Sequence, residues 1–128
     1  AAALVGPPAS IAVGQQGPKP APTESRGLRH EALPGLDLTG QIEETTGRHF
    51  RIRRLTVEPG GHSALHEHRD RPAILYILEG SIVEHREGGE PREHRAGQAV
   101  PEPVETRHWI ENRNSTPTVL ITVDLFKP

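Results

Sequence analysis

Several short segments of this chain alternate apolar and polar residues with a period of two, which is the pattern of β-strands. The clearest is TVLITVDLF (118–126), where every second residue from Val119 to Leu125 is aliphatic. TRHWIENRN (106–114) predicts a shorter strand. No long segment follows the helical period, so the pattern predicts an all-β protein.

The segment RHFRIRRLTVEPGG (48–61) also alternates, but its apolar positions change phase between Ile52 and Leu55. An extra residue in one strand shifts its faces in this way. We therefore expect a strand here with a β-bulge near Arg53–Arg54.

Two further strands and a hairpin complete the predicted sheet. AILYILEG (73–80) is apolar on both faces, which predicts either a central strand or a strand covered by a second copy of the chain, as in a homodimer. SIVEHREGGEPREHR (81–95) predicts a hairpin about Gly88–Gly89, and AGQAVPEPVE (96–105) predicts a loop. Short strands with Gly and Pro turns indicate a sandwich or a barrel.

Composition divides the 128 residues into two parts. Residues 1–27 contain five prolines and mostly small side chains, which predicts an extended or disordered N-terminal arm. Residues 28–128 are enough for a single domain. The chain starts AAALVGPPAS without Met, which fits either the remnant of a removed export signal or an artificial boundary. Location in the bacterial periplasm or in the cytoplasm is left open.

Charge and cysteine content exclude several classes of function. The formal net charge is −2, with acidic and basic residues interspersed, so we expect no nucleic-acid partner. No apolar run approaches the ~18 residues that cross a bilayer, so we expect no membrane partner. The absence of cysteine excludes disulfides and cysteine-ligated metals.

The stretch HSALHEHRD (62–70) concentrates three of the eight histidines. His66 and His68 are two residues apart, so on a strand both imidazoles face the same side and form half of a transition-metal site. His62 follows two glycines and is expected at the rim. His85 and His94 lie among Arg and Glu residues and are expected to face solvent.

A second block, GQAVPEPVETRHWIEN, completes a recognisable spacing. The two motifs G-x5-H-x-H-x3–4-E-x6-G and G-x5-P-x-G-x2-H-x3-N are those of the cupin superfamily, which this chain resembles over about residues 48–126. The resemblance implies a single cupin-type jelly-roll β-barrel with a divalent transition metal held by His66, His68 and His108. The matching positions are Gly60, His66, His68 and Gly80, then Gly97, Pro103, His108 and Asn112.

Two motif positions differ. Ala73 stands where the first motif has its glutamate, and Glu105 stands where the second has glycine. By spacing alone, none of Glu67, Asp70 and Glu111 replaces the missing carboxylate. A three-imidazole site has no carboxylate ligand, so it favours Fe, Zn or Ni over Mn.

Two functions remain open at this stage, and no catalytic residue is assigned. One is a metal-dependent oxygenase acting on a small polar or anionic metabolite. The alternative is a non-enzymatic cupin that binds a small ligand as a sensor or carrier. We expect Trp109 to be a packing residue, whereas Arg69 and Arg71, which follow the two histidines, are solvated or pair with a substrate carboxylate.

Overall fold

The computed structural model describes residues 11–12 and 19–128. These residues form eleven strands in one continuous, curved sheet and a single 3-10 turn at Glu43–Thr45. The strands are β1 Ile11–Ala12, β2 Arg26–Ala32, β3 Leu36–Asp37, β4 His49–His62, β5 His66–Glu67, β6 Ala73–Glu79, β7 Ser81–Arg86, β8 Arg92–Arg95, β9 Ala99–Glu102, β10 Arg107–Glu111 and β11 Thr118–Phe126.

The sheet runs in the order β1-β8-β7-β10-β4-β11-β6-β9, with β2 and β3 paired to β4 and β5 paired to β10. All of these pairs are antiparallel. The sheet curves until Arg86 on β7 donates a hydrogen bond of 2.7 Å to the carbonyl oxygen of Pro101 on β9. The predicted all-β barrel is confirmed.

A compact apolar cluster fills one part of the interior. It consists of the buried, inward-facing residues Leu55, Val57, Leu75, Ile77, Ile82, Val100, Ile110 and Leu120. Burying such side chains supplies the main driving force for folding a chain of this size. The rest of the interior is a cavity whose wall includes histidine, arginine and carboxylate side chains.

Several predicted elements are confirmed. The strands at 73–80, 106–114 and 118–126 correspond to β6, β10 and β11, and β7 and β8 form the hairpin about Gly88–Gly89. Gly80, between β6 and β7, has φ +80°, and a Cβ there would lie 2.7 Å from Oγ1 of Thr118. Only glycine suits both conditions.

The predicted bulge near Arg53–Arg54 is wrong. β4 pairs with β11 in an unbroken register from Val57↔Thr118 to His49↔Phe126. The change of phase has another cause: Phe50 lies on the outer, exposed face, whereas Arg53 and Leu55 line the interior cavity. Because Arg53 occupies an inward-facing position, the apolar residue Phe50 lies on the outer face of the same strand.

The predicted loop at 96–105 is also wrong in part, because Ala99–Glu102 forms β9. β9 is the last strand of the sheet and pairs only with β6. Pro101 has no N–H to donate, and an edge strand is where a sheet accepts proline. Val100 and Glu102 alternate with it and are buried.

Part of the predicted N-terminal arm lies outside the described residues. The part from Lys19 onward contacts the barrel, since Lys19 binds Glu111 at 2.9 Å and the carbonyl oxygen of Pro22 accepts from the backbone N–H of Leu65 at 2.9 Å. β2 begins at Arg26, close to the expected boundary between residues 27 and 28. That boundary stays a prediction. Across the described part of the chain, we find no helix with the length and apolar character needed to span a membrane.

Three arginines meet one buried carboxylate at the cavity wall. Asp124 on β11, whose side chain is 1% exposed, accepts from Arg51 at 2.9 and 2.6 Å and from Arg71 at 2.6 Å. Arg53 is farther away, at 3.7 Å. Burial alone would raise the pKa of Asp124, but the hydrogen bonds from Arg51 and Arg71 outweigh burial and hold the pKa below its ordinary value. Asp124 thus ties β11 to β4 and to the segment before β6.

We predict that Asp124→Asn lowers the free energy of unfolding at pH 7 by about 2 kcal/mol, because it leaves three partly buried guanidinium groups without their carboxylate. A depressed folded-state pKa gives stability that is present above the unfolded-state value, about 3.9, and lost as the pH falls below it. The deficit of the variant should therefore shrink toward pH 3. Urea unfolding at several pH values measures both effects.

Glu87→Gln is the matched control, since it breaks an exposed pair with Arg107 and should change stability by less than about 1 kcal/mol. An Asp124→Asn variant as stable as the wild type at pH 7 would contradict this interpretation.

Candidate metal centre

Three imidazoles converge inside the barrel. His66 on β5 lies directly opposite His108 on β10, and His68 follows β5 by one residue. Nε2 of His108 lies 3.0 Å from Nε2 of His68 and 3.1 Å from Nε2 of His66. His68 and His108 are buried and His66 is partly buried. The structure thus brings together the three histidines expected from the sequence.

The outer nitrogen of each ring faces an oxygen that can only accept a hydrogen bond. Nδ1 of His66 donates to the carbonyl oxygen of Ala64 at 2.8 Å, and Nδ1 of His68 to that of Arg71 at 3.2 Å. Nδ1 of His108 donates to a carboxylate oxygen of Glu84 at 2.5 Å. A neutral imidazole has one N–H, so each Nε2 keeps a lone pair directed at the other two.

The environment of His66 favours the neutral ring. Burial is the main cause that lowers the pKa of His66, and the neighbouring His108 and His68 lower it further. An unprotonated imidazole is the form that binds a metal ion. At neutral pH this ring is therefore in the metal-binding form.

Glu84 on β7 anchors His108 from behind. It is buried and also accepts hydrogen bonds from His94 at 2.8 Å and from Arg86 at 2.7 Å. Burial alone would raise the pKa of Glu84, but the hydrogen bonds from His108, His94 and Arg86 hold it well below its ordinary value. The carboxylate stays charged, which fixes the orientation and the tautomer of His108.

A carboxylate that the sequence analysis missed lies beside the imidazoles. Glu102 on β9 is buried, and its carboxylate oxygens lie 3.0 Å from Nε2 of His68 and 3.8 Å from Nε2 of His108. The signal for it was the alternation of AVPE, which places Val100 and Glu102 on one face once β9 is known to be a strand.

The three carboxylates considered from the sequence do lie elsewhere. Glu67 and Asp70 are exposed, and Glu111 accepts hydrogen bonds from Lys19, His85 and Arg113. Glu105, which replaces the motif glycine, is exposed and is not among the residues with positive φ, so the turn accepts it without backbone strain.

The expectation that His85 and His94 face solvent is wrong, because both are buried. His94 binds Glu84, and the ring of His85 stacks on Trp109 at 3.9 Å and donates to Glu111 at 2.5 Å. Trp109 is the packing residue that the sequence predicted, at 5% exposure. Glu84 points into the barrel beside the core residue Ile110, whereas His85 and Glu111 are buried on the opposite face of the sheet.

A cavity of about 250 Å³ opens beside the three imidazoles. Its apolar wall includes Leu55, Leu75 and Ile110, and its charged wall includes Arg53, Arg71, Glu102 and Asp124. His62 does not line this cavity. The ring of His62 packs edge-on against Trp109, with 6.5 Å between the ring centroids. The cavity is smaller than pockets for drug-sized ligands, which begin at about 300 Å³.

Comparison with known proteins assigns the fold. Similar solved structures include a Cupin 2 conserved barrel domain protein from Salinispora arenicola, with 23% identity over 76% of this chain and 74% of that chain and a TM-score of 0.60. An RmlC-like cupin family protein from Methanocaldococcus jannaschii has 21% identity over 79% and 82%, with a TM-score of 0.63. A predicted oxalate decarboxylase from Thermotoga maritima has 21% identity over 91% and 98%, with a TM-score of 0.62.

These structures have the same barrel fold as this chain. At 21–23% identity they show the fold alone and give no evidence of a shared activity. No curated protein matches the chain significantly in sequence. The model of the Cupin domain family (Cupin_2), however, matches residues 53–124, which is more than half of the chain and includes all three clustered histidines and Glu102. This protein is a member of the cupin family.

Proposed function

We propose that this cupin binds one divalent transition metal through His66, His68 and His108 and uses it to act on a small anionic metabolite. One observation carries the proposal. Nε2 of His108 lies 3.0 Å from Nε2 of His68 and 3.1 Å from Nε2 of His66. Each ring donates its only N–H, from Nδ1, to an oxygen outside the cluster. The arrangement needs a cation at its centre.

A proton satisfies this need poorly. A proton bridges two atoms, whereas three imidazole nitrogens lie within 4.8 Å of one another here. Protonating the rings instead would place like charges side by side in a buried site. A divalent ion accepts all of these lone pairs at once, and imidazole is a common ligand of Zn, Fe, Ni and Cu.

The cavity lies beside the three ring nitrogens. His66, His68 and His108 line it together with Arg53 and Arg71. A small ligand in the cavity could therefore reach a metal held by the three histidines.

The cavity wall favours an anion. Three guanidinium groups share the single carboxylate of Asp124, and Arg53, at 3.7 Å from it, has the weakest tie. Burial is the main cause that lowers the pKa of Arg53, yet a guanidinium stays protonated at neutral pH. Arg53 is therefore the guanidinium of the cavity wall best placed to pair with a small carboxylate, and the similar protein from Thermotoga maritima is named as a predicted oxalate decarboxylase.

The metal, when bound, supplies Lewis acidity, and iron also supplies redox chemistry with dioxygen. The chain itself holds the ligand: Arg53 and Arg71 attract its charge, and Leu55, Leu75 and Ile110 limit water. We propose an oxygenase on this basis. The preference for Fe, Zn or Ni over Mn stays a prediction, and its argument from a missing carboxylate is weakened by Glu102.

We predict one tightly bound metal ion per chain when the protein is purified without chelators, measured by elemental mass spectrometry. His66→Ala, His68→Ala and His108→Ala should each reduce this content by about 10-fold or more, because each removes a ligand. His62→Ala is the matched control, since His62 belongs to the same sequence cluster and lies outside the site. Full metal content in the His66→Ala and His108→Ala variants would sink the proposal.

A second candidate is a non-enzymatic cupin that binds the same class of ligand. The carboxylates of the cavity favour it, because an enzyme of this kind would need a free general base. Among the described lining residues the carboxylates are Glu102, which lies beside His68, and Asp124, which binds arginines. Neither is available as a general base. Such a protein would bind small carboxylates without consuming them.

Oxygen uptake separates the two functions. We predict that the iron-loaded protein consumes oxygen with at least one member of a panel of small carboxylates and that His108→Ala abolishes this. Calorimetric binding of a carboxylate to the metal-loaded protein, with no oxygen uptake and no product, would favour the second candidate.

The homodimer also stays a prediction. Its basis is now the outer face of β6, where Ile74, Tyr76 and Leu78 are 50, 41 and 43% exposed. Exposed apolar patches of this kind often mark interfaces. We expect a dimer in light scattering, and Tyr76→Arg should shift it toward the monomer. A monomeric wild-type protein at the same concentration would exclude the dimer.

A further inference from the structure

Ala73 stands where the motif has its glutamate, so β6 supplies no carboxylate at that position. Its strand partner carries one. Ala73 pairs directly with Glu102 in the antiparallel register of β6 and β9. Directly opposed residues point to the same face of a sheet, with Cβ atoms about 4.5–5.5 Å apart. Both residues line the cavity beside the three histidines.

Glu102 lies against two of the three imidazoles. One of its carboxylate oxygens lies 3.0 Å from Nε2 of His68, and the other lies 3.8 Å from Nε2 of His108. The side chain is buried, and a buried carboxylate is costly unless a positive charge or hydrogen bonds compensate it. A cation held by the histidines would supply that charge.

We infer that Glu102 is the fourth metal ligand and that it replaces, from the neighbouring strand, the glutamate that Ala73 has lost. This inference rests on the proposed metal site and adds a ligand to it. The carboxylate would then come from β9 instead of β6 and would face the same cavity. A site with three imidazoles and one carboxylate carries net charge +1 around a divalent ion.

The register suggests a direct exchange experiment. Glu102→Ala should weaken the binding of Co²⁺ by about 10-fold or more, since removing even a hydrogen-bond partner of a ligand costs 10- to 100-fold. Ala73→Glu in the same chain should restore affinity, because it returns a carboxylate to the opposed position. Titration calorimetry of the metal-free proteins measures both affinities.

Glu105→Gln is the matched control for net charge, because Glu105 is exposed and three residues along the chain. It should bind Co²⁺ like the wild type. The near-isosteric Glu102→Gln keeps the inference testable if the double variant does not fold. In the visible spectrum of bound Co²⁺, Glu102→Gln should alter the bands, since the band pattern reports the ligand set.

The inference is overturned if Glu102→Ala and Glu102→Gln bind Co²⁺ as tightly as the wild type with an unchanged spectrum. It is also overturned if Glu105→Gln weakens binding equally, because the effect is then one of net charge. In both cases the loss of Co²⁺ binding in His66→Ala still supports the metal site. Unaltered binding in His66→Ala and His108→Ala instead removes the site itself.

Discussion

The site depends on three hydrogen bonds that point away from it. The carbonyl oxygens of Ala64 and Arg71 and the carboxylate of Glu84 each take the Nδ1–H of one histidine. They fix the tautomer of every ring and direct three lone pairs to one point. Two of these acceptors belong to the backbone around β5, so the local fold of the HSALHEHRD stretch sets the chemistry as much as the histidines do.

The strand alternation predicted an all-β protein, and the resemblance of two sequence blocks to the cupin motifs implied the barrel and the cluster of His66, His68 and His108. They failed where the interior is polar. Arg53 faces the cavity, so at this end of β4 the apolar residues lie on the outer face. This change of face resembled a bulge in the sequence, although the register of β4 with β11 is unbroken. The prediction of strands from alternation takes the inward-facing residues to be apolar, and this does not hold where charged residues line a cavity.

The carboxylate of Glu102 was missed for a second reason. Pro101 suggested a loop, and only pairing with β6 shows that Glu102 stands opposite Ala73. Spacing along one strand cannot reveal a residue supplied by its neighbour. As a ligand, the same carboxylate would change the electrostatics expected from the sequence, since an all-imidazole site would leave a divalent ion at net charge +2 and Glu102 would lower this to +1.

The proposed metal site requires a cation between the three Nε2 atoms. X-ray diffraction from crystals of protein purified without chelators, collected on both sides of the absorption edge of the metal found in the sample, tests this most directly. We expect one anomalous peak within about 2.3 Å of the Nε2 atoms of His66, His68 and His108. Well-ordered imidazoles with no anomalous peak, in protein that has been supplied with Fe²⁺, Zn²⁺ and Ni²⁺ in turn, would contradict it.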